Sequence, residues 1–261
     1  MLIACLLIWF YTFNVILSLY LHRGIAHRCY EFHPIFLHFC RFYIWLVGEH
    51  RPGYQQVYAA QHRKHHRHSD TDNDPHSPYR FGLFKLFDIK HQDPARPGYV
   101  SPEEINLYAS DIIPHDDWIE RNIYNRSTVK LMLIWNNKNW WIDVNLSLFI
   151  LLGIVYLIAG LWGMLIFWLL NYLYFRYVIV FVTYYLLHKG PFKYVKNDTP
   201  HDKSSTVFPI GTVFVGEELH ANHHNDPGNP CFSKLWWEFD IGWMFVRIFA
   251  FFGLLKLKRK I

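Results

Sequence analysis

The stretch LSLFILLGIVYLIAGLWGMLIFWLLNYLYFRYVIVFVTYYLL, residues 146–187, contains 42 residues and a single charged side chain. One helix of this length would be about 63 Å long, roughly twice the hydrocarbon core of a bilayer. Gly160 and Gly163 lie near its first third, and closely spaced glycines often mark a tight reversal. We therefore expect two antiparallel membrane spans, at about residues 144–159 and 164–187.

Two further apolar runs lie nearer the N-terminus. Residues 2–21 form an uncharged run of 20 residues, which corresponds to about 30 Å of helix. This run has no basic leader and no small-residue cleavage site, so we expect a retained span and not a signal peptide. Residues 35–48 form a run of only 14 residues, which suits an interfacial helix better than a span.

The predicted topology places all histidine motifs on one face of the membrane. The interval from His27 to His62 is too short to cross a bilayer and return, and the long hairpin brings His188 back to the same face. Basic residues near the C-terminus make this face cytoplasmic by the positive-inside rule. The predicted fold class is an all-α integral membrane protein with one domain over the whole chain. About three spans and one interfacial helix form its stem, and a cytosolic helical cap (about 49–143 and 188–261) holds a di-metal site.

Composition limits the class of protein. Apolar residues make up 52% and charged residues only 18% of the chain, whereas soluble domains usually carry about a quarter charged residues. This excludes a disordered chain, and four cysteines without a CxxC pair exclude a disulfide scaffold. We expect a lipid bilayer, and no nucleic acid, as the macromolecular surface that the protein contacts.

Three histidine motifs follow one another along the chain: HRGIAH at 22–27, HRKHH at 62–66 and HANHH at 220–224. Helical residues three and four positions apart share a face, so the three imidazoles of each HxxHH motif are expected to converge. The spacing of five in the first motif does not fit one α-helical face, so its second histidine is expected where the helix ends. A ninth histidine follows the last span. The nine candidate metal ligands are His22, His27, His62, His65, His66, His188, His220, His223 and His224.

Nine imidazoles are too many for one metal ion and suit two. Imidazole binds iron, zinc, copper and nickel, and the lack of thiolates argues against a zinc finger. A basic patch on anionic lipids and a membrane metal transporter are the alternatives. The regular motifs argue against the patch, and transporters place their ligands within the spans. Two polar residues stay open: His76 as a further site residue, and Arg176 as a partner inside the helical bundle.

These motifs resemble the integral-membrane fatty acid desaturases of the stearoyl-CoA desaturase type, in particular the bacterial members. The resemblance rests on residues 22–27, 61–78 (QHRKHHRHSDTDNDPHSP), 216–224 (GEELHANHH) and 236–243 (WWEFDIGW). It implies a mushroom-like helical protein whose cytosolic cap holds two iron ions on the nine histidines. It also implies insertion of a cis double bond into a long acyl chain, with O2 and two electrons consumed.

The chain departs from the family pattern near the expected ligands. The family places an asparagine, which acts on the metal through water, one helical turn before the histidine matched by His188; here this position is Tyr184. In the third motif Ala221 replaces the usual first asparagine. Acidic side chains can orient ligand imidazoles through the second ring N–H. The acidic candidates for this role are Asp70, Asp74 and Glu217.

The resemblance predicts an O2-dependent acyl-CoA desaturase of the stearoyl-CoA 9-desaturase type. Its substrate would be a long-chain acyl thioester, in the first place acyl-CoA, or an acyl lipid. No electron-transfer motif is present, so electrons would come from a separate ferredoxin or cytochrome b5-like protein. A related di-iron hydroxylase or decarboxylase is the alternative, because abstraction of the first hydrogen is shared. The expected location is a bacterial inner membrane with the site facing the cytoplasm; the alternative is the endoplasmic reticulum.

Overall fold

The computed structural model describes residues 2–47, 54–88, 93–112, 126–197 and 199–258. The α-helices are α1 (Leu2–Ile16), α2 (Pro34–Leu46), α3 (Tyr54–His68), α4 (Pro78–Leu86), α5 (Pro102–Ala109), α6 (Arg126–Leu173), α7 (Leu187–Lys189), α8 (His220–Asn225) and α9 (Ile241–Phe251). Three π-helical segments, Leu17–Ala26, Tyr174–Val178 and Phe181–Leu186, continue α1 or join α6 to α7. The strands are β1 (Tyr30–Phe32), β2 (Val195–Lys196), β3 (Ser205–Thr206), β4 (Ile210–Gly211), β5 (Phe239–Asp240) and β6 (Leu255–Leu257). The fold is therefore mostly helical, as the sequence predicts.

The helix α6 contains a reversal at Gly160. This glycine has φ of +68°, in the left-handed region that an α-helix cannot contain. Leu151 and Phe167 would lie about 24 Å apart on a straight helix, yet both pack with Leu6 in one buried cluster. The reversal explains how one apolar stretch forms two arms. It lies between the two spans that the sequence predicts.

The first arm begins earlier than the span predicted at 144. The helix is continuous from Arg126, because no glycine or proline interrupts the chain before Gly153. The polar residues at 136–139 do not stop the helix, since asparagine and lysine lack the backbone constraints of proline.

Within the part of the chain that the structure describes, two helical stretches are long and apolar enough to cross a membrane: Leu6–Ala26 and Ser147–Lys189. The first extends five residues beyond the predicted boundary at Leu21. Only 11% of the apolar window in Ser147–Lys189 is buried within the protein. An apolar surface of this size is unfavourable in water and favourable in hydrocarbon. These helices therefore suit a bilayer.

The two shorter amphipathic helices α2 and α9 lie against each other. Phe36 and Phe249 pack with ring centroids 4.7 Å apart, whereas Phe39, Phe42 and Phe251 are exposed. Proline at the first turn and the His33 side chain, which accepts a hydrogen bond from the backbone, start α2. Both helices are too short to span a bilayer, and their exposed rings suit its interface.

Short contacts hold the segment after the first span to the C-terminal strand and hold two helices of the cap to each other. Strand β1 follows this span directly and pairs antiparallel with β6 near the C-terminus, with Tyr30 opposite Leu257. Helix α5 starts with a reciprocal capping box between Ser101 and Glu104, and the same Glu104 binds Lys64 on α3. The Glu104–Lys64 ion pair thus holds α5 against the helix that carries the second histidine motif.

Candidate metal centre

The nine candidate histidines come together in two adjoining clusters. The five-histidine cluster consists of His22, His27, His62, His66 and His223. The four-histidine cluster consists of His65, His188, His220 and His224. Within each cluster one ring nitrogen of every member lies within 4.8 Å of the others. The clusters adjoin, since the rings of His66 and His224 are 4.2 Å apart.

Each HxxHH motif divides its histidines between the two clusters. In the second motif, His62 and His66 join the five-histidine cluster while His65 joins the other. In the third motif the division is inverted, since only His223 joins the five-histidine cluster. Helical residues four apart lie almost above one another and residues three apart lie to the side. The three members of each motif therefore share one side of the helix, as expected, and are divided between the two clusters.

A π-helical turn explains the spacing of the first motif. The His27 N–H donates to the His22 carbonyl at 3.1 Å, the i to i+5 bond of a π-helix. Residues five apart therefore lie one above another, and the two rings are 5.1 Å apart. His27 is the residue at which the segment ends, and both histidines face the same cluster.

Carboxylates hold three rings of the four-histidine cluster. The Nδ1 atom of His65 lies 2.9 Å from Asp74, and that of His188 lies 3.0 Å from Asp70. The His224 Nδ1 atom lies 2.7 Å from Asp202, which sequence reasoning missed. A protonated Nδ1 that donates to a carboxylate leaves the lone pair on Nε2, so three lone pairs face one space. Asp202 carries no local signal, because it lies 22 residues from its partner in an irregular loop.

The five-histidine cluster has a different support. Only His22 contacts a carboxylate among the described residues, with Nδ1 2.8 Å from Glu217, which also accepts from Ser18. Behind this cluster Arg23 is fully buried and forms a bidentate ion pair with Asp240 at 2.9–3.0 Å. The guanidinium lies 3.8 Å from the centre of the Phe232 ring, and this ring packs against His223 at 4.5 Å.

Burial keeps most of these imidazoles neutral. It lowers the pKa of six of them well below the ordinary histidine value, and nearby histidines lower the pKa further. These residues are His27, His62, His66, His220, His223 and His224. Burial also lowers the pKa of His65, but the Asp74 carboxylate has the larger effect in the opposite direction. The pKa of His65 is therefore raised. Neutral imidazole is the form that binds a metal ion.

The donor set fits a pair of metal ions. The Nε2 atoms of neighbouring histidines approach to 2.7 Å for His27 and His62 and to 3.0 Å for His188 and His220. Two nitrogens at right angles around an ion, each about 2.0–2.1 Å from it, would lie about 2.9 Å apart. The buried His224 Nε2 atom has no hydrogen-bond partner within the described ranges, so its lone pair faces the space that a cation would occupy.

The sequence profile of the fatty acid desaturase family matches residues 1–238. This chain belongs to the fatty acid desaturase family. It is 25% identical over 255 residues to a protein named sn-1 stearoyl-lipid 9-desaturase from Anabaena variabilis, with 97% of this chain and 81% of the relative covered. A protein of the same name from Synechocystis is 27% identical, with 96% and 69% covered. An acyl-CoA 5-desaturase from Anemone leveillei is 26% identical, with 89% and 64% covered. The chain is therefore a membrane-bound oxidoreductase of the desaturase class.

A cavity of about 520 Å³ leads from the desaturase's histidines into the stem, within the size range of small-molecule sites. His22 and His62 of one cluster and His65 and His220 of the other form its inner end. Apolar and aromatic side chains of both spans line most of the remainder, beside polar ones such as Asn14, Asn171 and Thr183. These include Phe13, Leu17, Leu148, Phe175 and Ile179.

One helix face forms a continuous wall of this cavity. Side chains spaced by four residues contribute to it, namely Trp168, Tyr172, Arg176, Val180 and Tyr184. The next position is His188. In a plain α-helix, residues four apart drift about 40° around the axis at each step. The wider turns of the π-helical segments rotate the row in the opposite sense, so the row stays on the cavity side as far as the metal centre.

Tyr184, which stands where the family has asparagine, lies beside the four-histidine cluster. Its ring stacks on His76 at 4.3 Å, and His76 packs on His65 at the same distance. His76, left open by the sequence, is thus a buried residue of the site. Asn222, next to Ala221, donates to the Phe232 carbonyl and to Glu238; it supports the loop behind the cluster and does not face it.

Proposed function

We propose that the protein is an O2-dependent desaturase that inserts a cis double bond into a long-chain acyl group at a di-iron centre. Its nine histidines would hold the two ions, five imidazoles on one side and four on the other. The observation that carries this proposal is the convergence of four separate chain segments on two adjoining nitrogen clusters at the inner end of an apolar cavity. Membership of the desaturase family supports the same reaction.

The chain's own residues would bind and orient the metals. Asp70, Asp74 and Asp202 fix three rings so that their Nε2 lone pairs face inward, and Glu217 does the same for His22. The proposed metal is iron and not zinc. Imidazole binds both metals, but the proposed reaction requires a redox-active one. Bound iron would supply the oxidising power, drawn from O2 and two electrons, that removes two hydrogens from adjacent methylenes.

The asymmetry of the clusters indicates where O2 and substrate would meet. Two histidines of each cluster line the inner end of the cavity, so a methylene there would lie next to both ions. The four-histidine cluster has one imidazole fewer and would leave more room for an exchangeable ligand. Apolar and aromatic side chains line much of this space, and an acyl chain bound there would displace water from around the reacting methylenes.

Electrons would come from a separate protein, a ferredoxin or a cytochrome b5-like donor. The basic C-terminal segment favours a site that faces the cytoplasm. The proposed location is a bacterial inner membrane, because the motifs resemble those of bacterial members; an endoplasmic reticulum membrane is the alternative. The acyl carrier would be a thioester such as acyl-CoA or an intact lipid. The relatives carry names of both kinds.

Expression in a host with a simple saturated lipid profile tests the proposal. We expect new monounsaturated acyl chains with one bond position, mapped by mass spectrometry, and about two irons per purified chain. The matched control is the double variant His220→Ala/His223→Ala, which should yield neither product nor metal pair. Absence of new double bonds despite a full metal content would overturn the desaturase assignment.

The same experiment separates desaturation from its chemical neighbours. Loss of two hydrogens from the acyl chain indicates desaturation, whereas gain of one oxygen indicates hydroxylation. Loss of the carboxyl carbon indicates decarboxylation. We expect the first outcome, because the chain belongs to the desaturase family and its relatives carry desaturase names.

A further inference from the structure

A group of exposed aromatic and basic side chains lies directly outside the four-histidine cluster. It consists of Tyr79, Arg80, Lys189 and Lys203, all of them exposed, and we call it the Tyr79 patch. The ammonium groups of Lys203 and Lys189 lie 3.9 Å and 4.9 Å from the centre of the Tyr79 ring. Cations at such distances are attracted to an aromatic face, so side chains from separate parts of the chain form one surface.

This patch rests on the groups that hold the His188 ring. The Tyr79 hydroxyl donates to the His188 backbone carbonyl at 3.3 Å. The Lys203 backbone N–H donates at 2.8 Å to the Asp70 carboxylate, which also contacts the His188 ring. Lys189 follows His188 directly in the chain. Three of the four patch residues are thus one contact or one peptide bond away from this histidine.

The fourth patch residue, Arg80, contacts the support of a second ring. Its guanidinium donates to the Asp74 backbone carbonyl at 3.3 Å, and the Asp74 carboxylate lies 2.9 Å from His65 Nδ1. The patch therefore touches the supports of two rings of the four-histidine cluster. One layer of residues separates its surface from the place where this cluster would hold a metal ion.

The charge of the patch is positive. Its three basic side chains are exposed, whereas the carboxylates that they adjoin, Asp70 and Asp74, are buried and bound to histidine rings. Exposed Asp72 in the neighbouring loop offsets one of the three charges. A cationic surface attracts an acidic protein and raises the rate of encounter. Tyrosine and arginine are also enriched at protein interfaces.

The patch lies outside the hydrocarbon layer. The helix from Gly160 to His188 is roughly 40 Å long, which exceeds the hydrocarbon core of about 30 Å. The segment that begins at Tyr79 beside His188 leads back to Asp88, which lies 3.6 Å from Arg176. Arg176, left open by the sequence, thus pairs with the cap, and the patch lies at the opposite end of this segment. A partner dissolved in water can therefore reach it.

The patch is also separate from the acyl cavity. Its four residues do not line the cavity that leads to the histidines. A molecule bound on the patch approaches the metal centre closely but has no path there for an acyl chain. Electrons, unlike an acyl chain, can pass through a thin layer of protein, so the position suits a partner that delivers electrons.

We propose that the Tyr79 patch is the docking site of the electron donor, and that this donor presents an acidic surface around its redox centre. The inference rests on the proposed desaturase function. In each cycle two electrons leave the donor, and two electrons with two protons leave the acyl chain. Together with two further protons from water they reduce O2 to two molecules of water. The patch places the donor beside the four-histidine cluster, where its electrons enter.

Stopped-flow oxidation of a reduced donor tests this docking site. The oxidised, iron-loaded full chain in nanodiscs is mixed without oxygen with a reduced plant-type [2Fe–2S] ferredoxin, or with the reduced soluble domain of a cytochrome b5. In Lys189→Glu/Lys203→Glu we expect the second-order rate constant to fall about tenfold at low salt, because attraction becomes repulsion. Its decrease with added salt should disappear as well. Lys189→Arg/Lys203→Arg keeps the charge and should retain the rate.

Lys256→Glu/Lys258→Glu is the matched control, because it makes the same change of charge at exposed positions of the C-terminal segment, outside the patch. Its rate constant should stay close to that of the unchanged chain. An equal fall in this control would show that overall charge guides the donor and would overturn the site. An unchanged rate in Lys189→Glu/Lys203→Glu would overturn it too, also if this variant bound anionic vesicles or a coenzyme A thioester more weakly.

Iron content is measured in every variant, because both lysines adjoin residues of the metal centre. If the charge-reversed chain does not load iron, Lys189→Gln/Lys203→Gln takes its place, with an expected fall of about threefold for half the change of charge. New double bonds in expressing cells, with donor oxidation that does not depend on the patch, would refute the docking site alone. Patch-dependent donor oxidation without new double bonds would refute the desaturase function and leave the docking site standing.

Discussion

The two histidine clusters are built in different ways although they share the same two helical motifs. The four-histidine cluster is held by carboxylates, since three of its four rings contact Asp70, Asp74 or Asp202 through Nδ1. Among the described residues, the five-histidine cluster has one such contact, from Glu217 to His22. It is supported instead by the buried Arg23–Asp240 ion pair and the Phe232 ring behind it.

The two clusters would therefore retain an ion in different ways. One has more imidazole ligands, and the other has fewer imidazoles that are held more rigidly. A site with five imidazoles has spare affinity and tolerates rings that are held by packing. A site with four must fix each ring to retain the ion and keep a position free for exchange. The following predictions test this contrast from the largest expected effect to the smallest.

Removing one imidazole from each cluster should have unequal effects on metal content. His220→Ala leaves three imidazoles in its cluster, and we expect iron to fall from about two to about one per chain, measured by mass spectrometry of the metal. His223→Ala leaves four imidazoles, so the second iron should bind but dissociate on dialysis. Both variants should lose activity. His38→Ala, outside both clusters, is the control, and equal metal loss in the two cluster variants would refute the contrast.

Breaking the buried ion pair should destabilise the side of the five-histidine cluster. Arg23→Met leaves Asp240 without its partner in a site with no solvent access, which costs about 3–5 kcal/mol of the free energy of unfolding. We expect a fall in Tm of about 10 °C in detergent.

Two companion variants separate charge from packing. Arg247→Met removes an exposed arginine from the neighbouring helix α9 and should shift Tm little. The double variant Arg23→Met/Asp240→Leu removes both charges and should recover part of the loss. A double variant as unstable as Arg23→Met would show that packing around the guanidinium, and not the unpaired carboxylate, dominates.

The metal-binding residues could be predicted from the sequence because their signal is local. Three spaced motifs and His188 name nine histidines, and all nine meet in the structure. Their division between two clusters was not predictable from spacing alone, because it depends on how two helices face each other. The spacing of His22 and His27 pointed to a helix end, but the π-helical turn that brings the two rings together has no sequence signature in the motif.

The carboxylates that support the two clusters were harder to predict, because their contacts also depend on how separate segments meet in the fold. Asp70 and Asp74 lie close to the second motif, and Glu217 lies close to the third, so proximity identified these carboxylates, although Asp70 and Glu217 contact histidines of other segments. Asp202 and Asp240 meet their partners across 22 and 217 residues respectively, and their local sequence does not indicate those partners. The spans had clear composition, but their ends depend on where glycine stops a helix, as at Gly160.

Neutralising the carboxylates should weaken metal binding more in the four-histidine cluster. Asp74→Asn keeps the shape but weakens the hydrogen bond that orients His65, and loss of such a contact typically costs about 10–100-fold in metal affinity. We expect Asp74→Asn near the upper end and Glu217→Gln near the lower end, measured by competition with an iron chelator. Glu218→Gln is a control, because the Glu218 carboxylate accepts from backbone N–H groups and contacts no cluster ring. A larger effect from Glu217→Gln would reverse the proposed contrast.

The smallest effect concerns Tyr184, which stacks on His76 beside the four-histidine cluster. If stacking on His76 is what matters, Tyr184→Phe should preserve iron content and activity, whereas Tyr184→Asn should lower both several-fold. An aromatic pair contributes about 0.5–1.5 kcal/mol, which is the scale of this loss. If the phenol group matters, Tyr184→Phe should be the weaker enzyme, and the family's asparagine should restore function. We expect the first result, because the Tyr184 ring lies 4.3 Å from His76 and nearly parallel to it, at 24°. Stacking from Tyr184 through His76 to His65 thus holds the His65 ring in the four-histidine cluster.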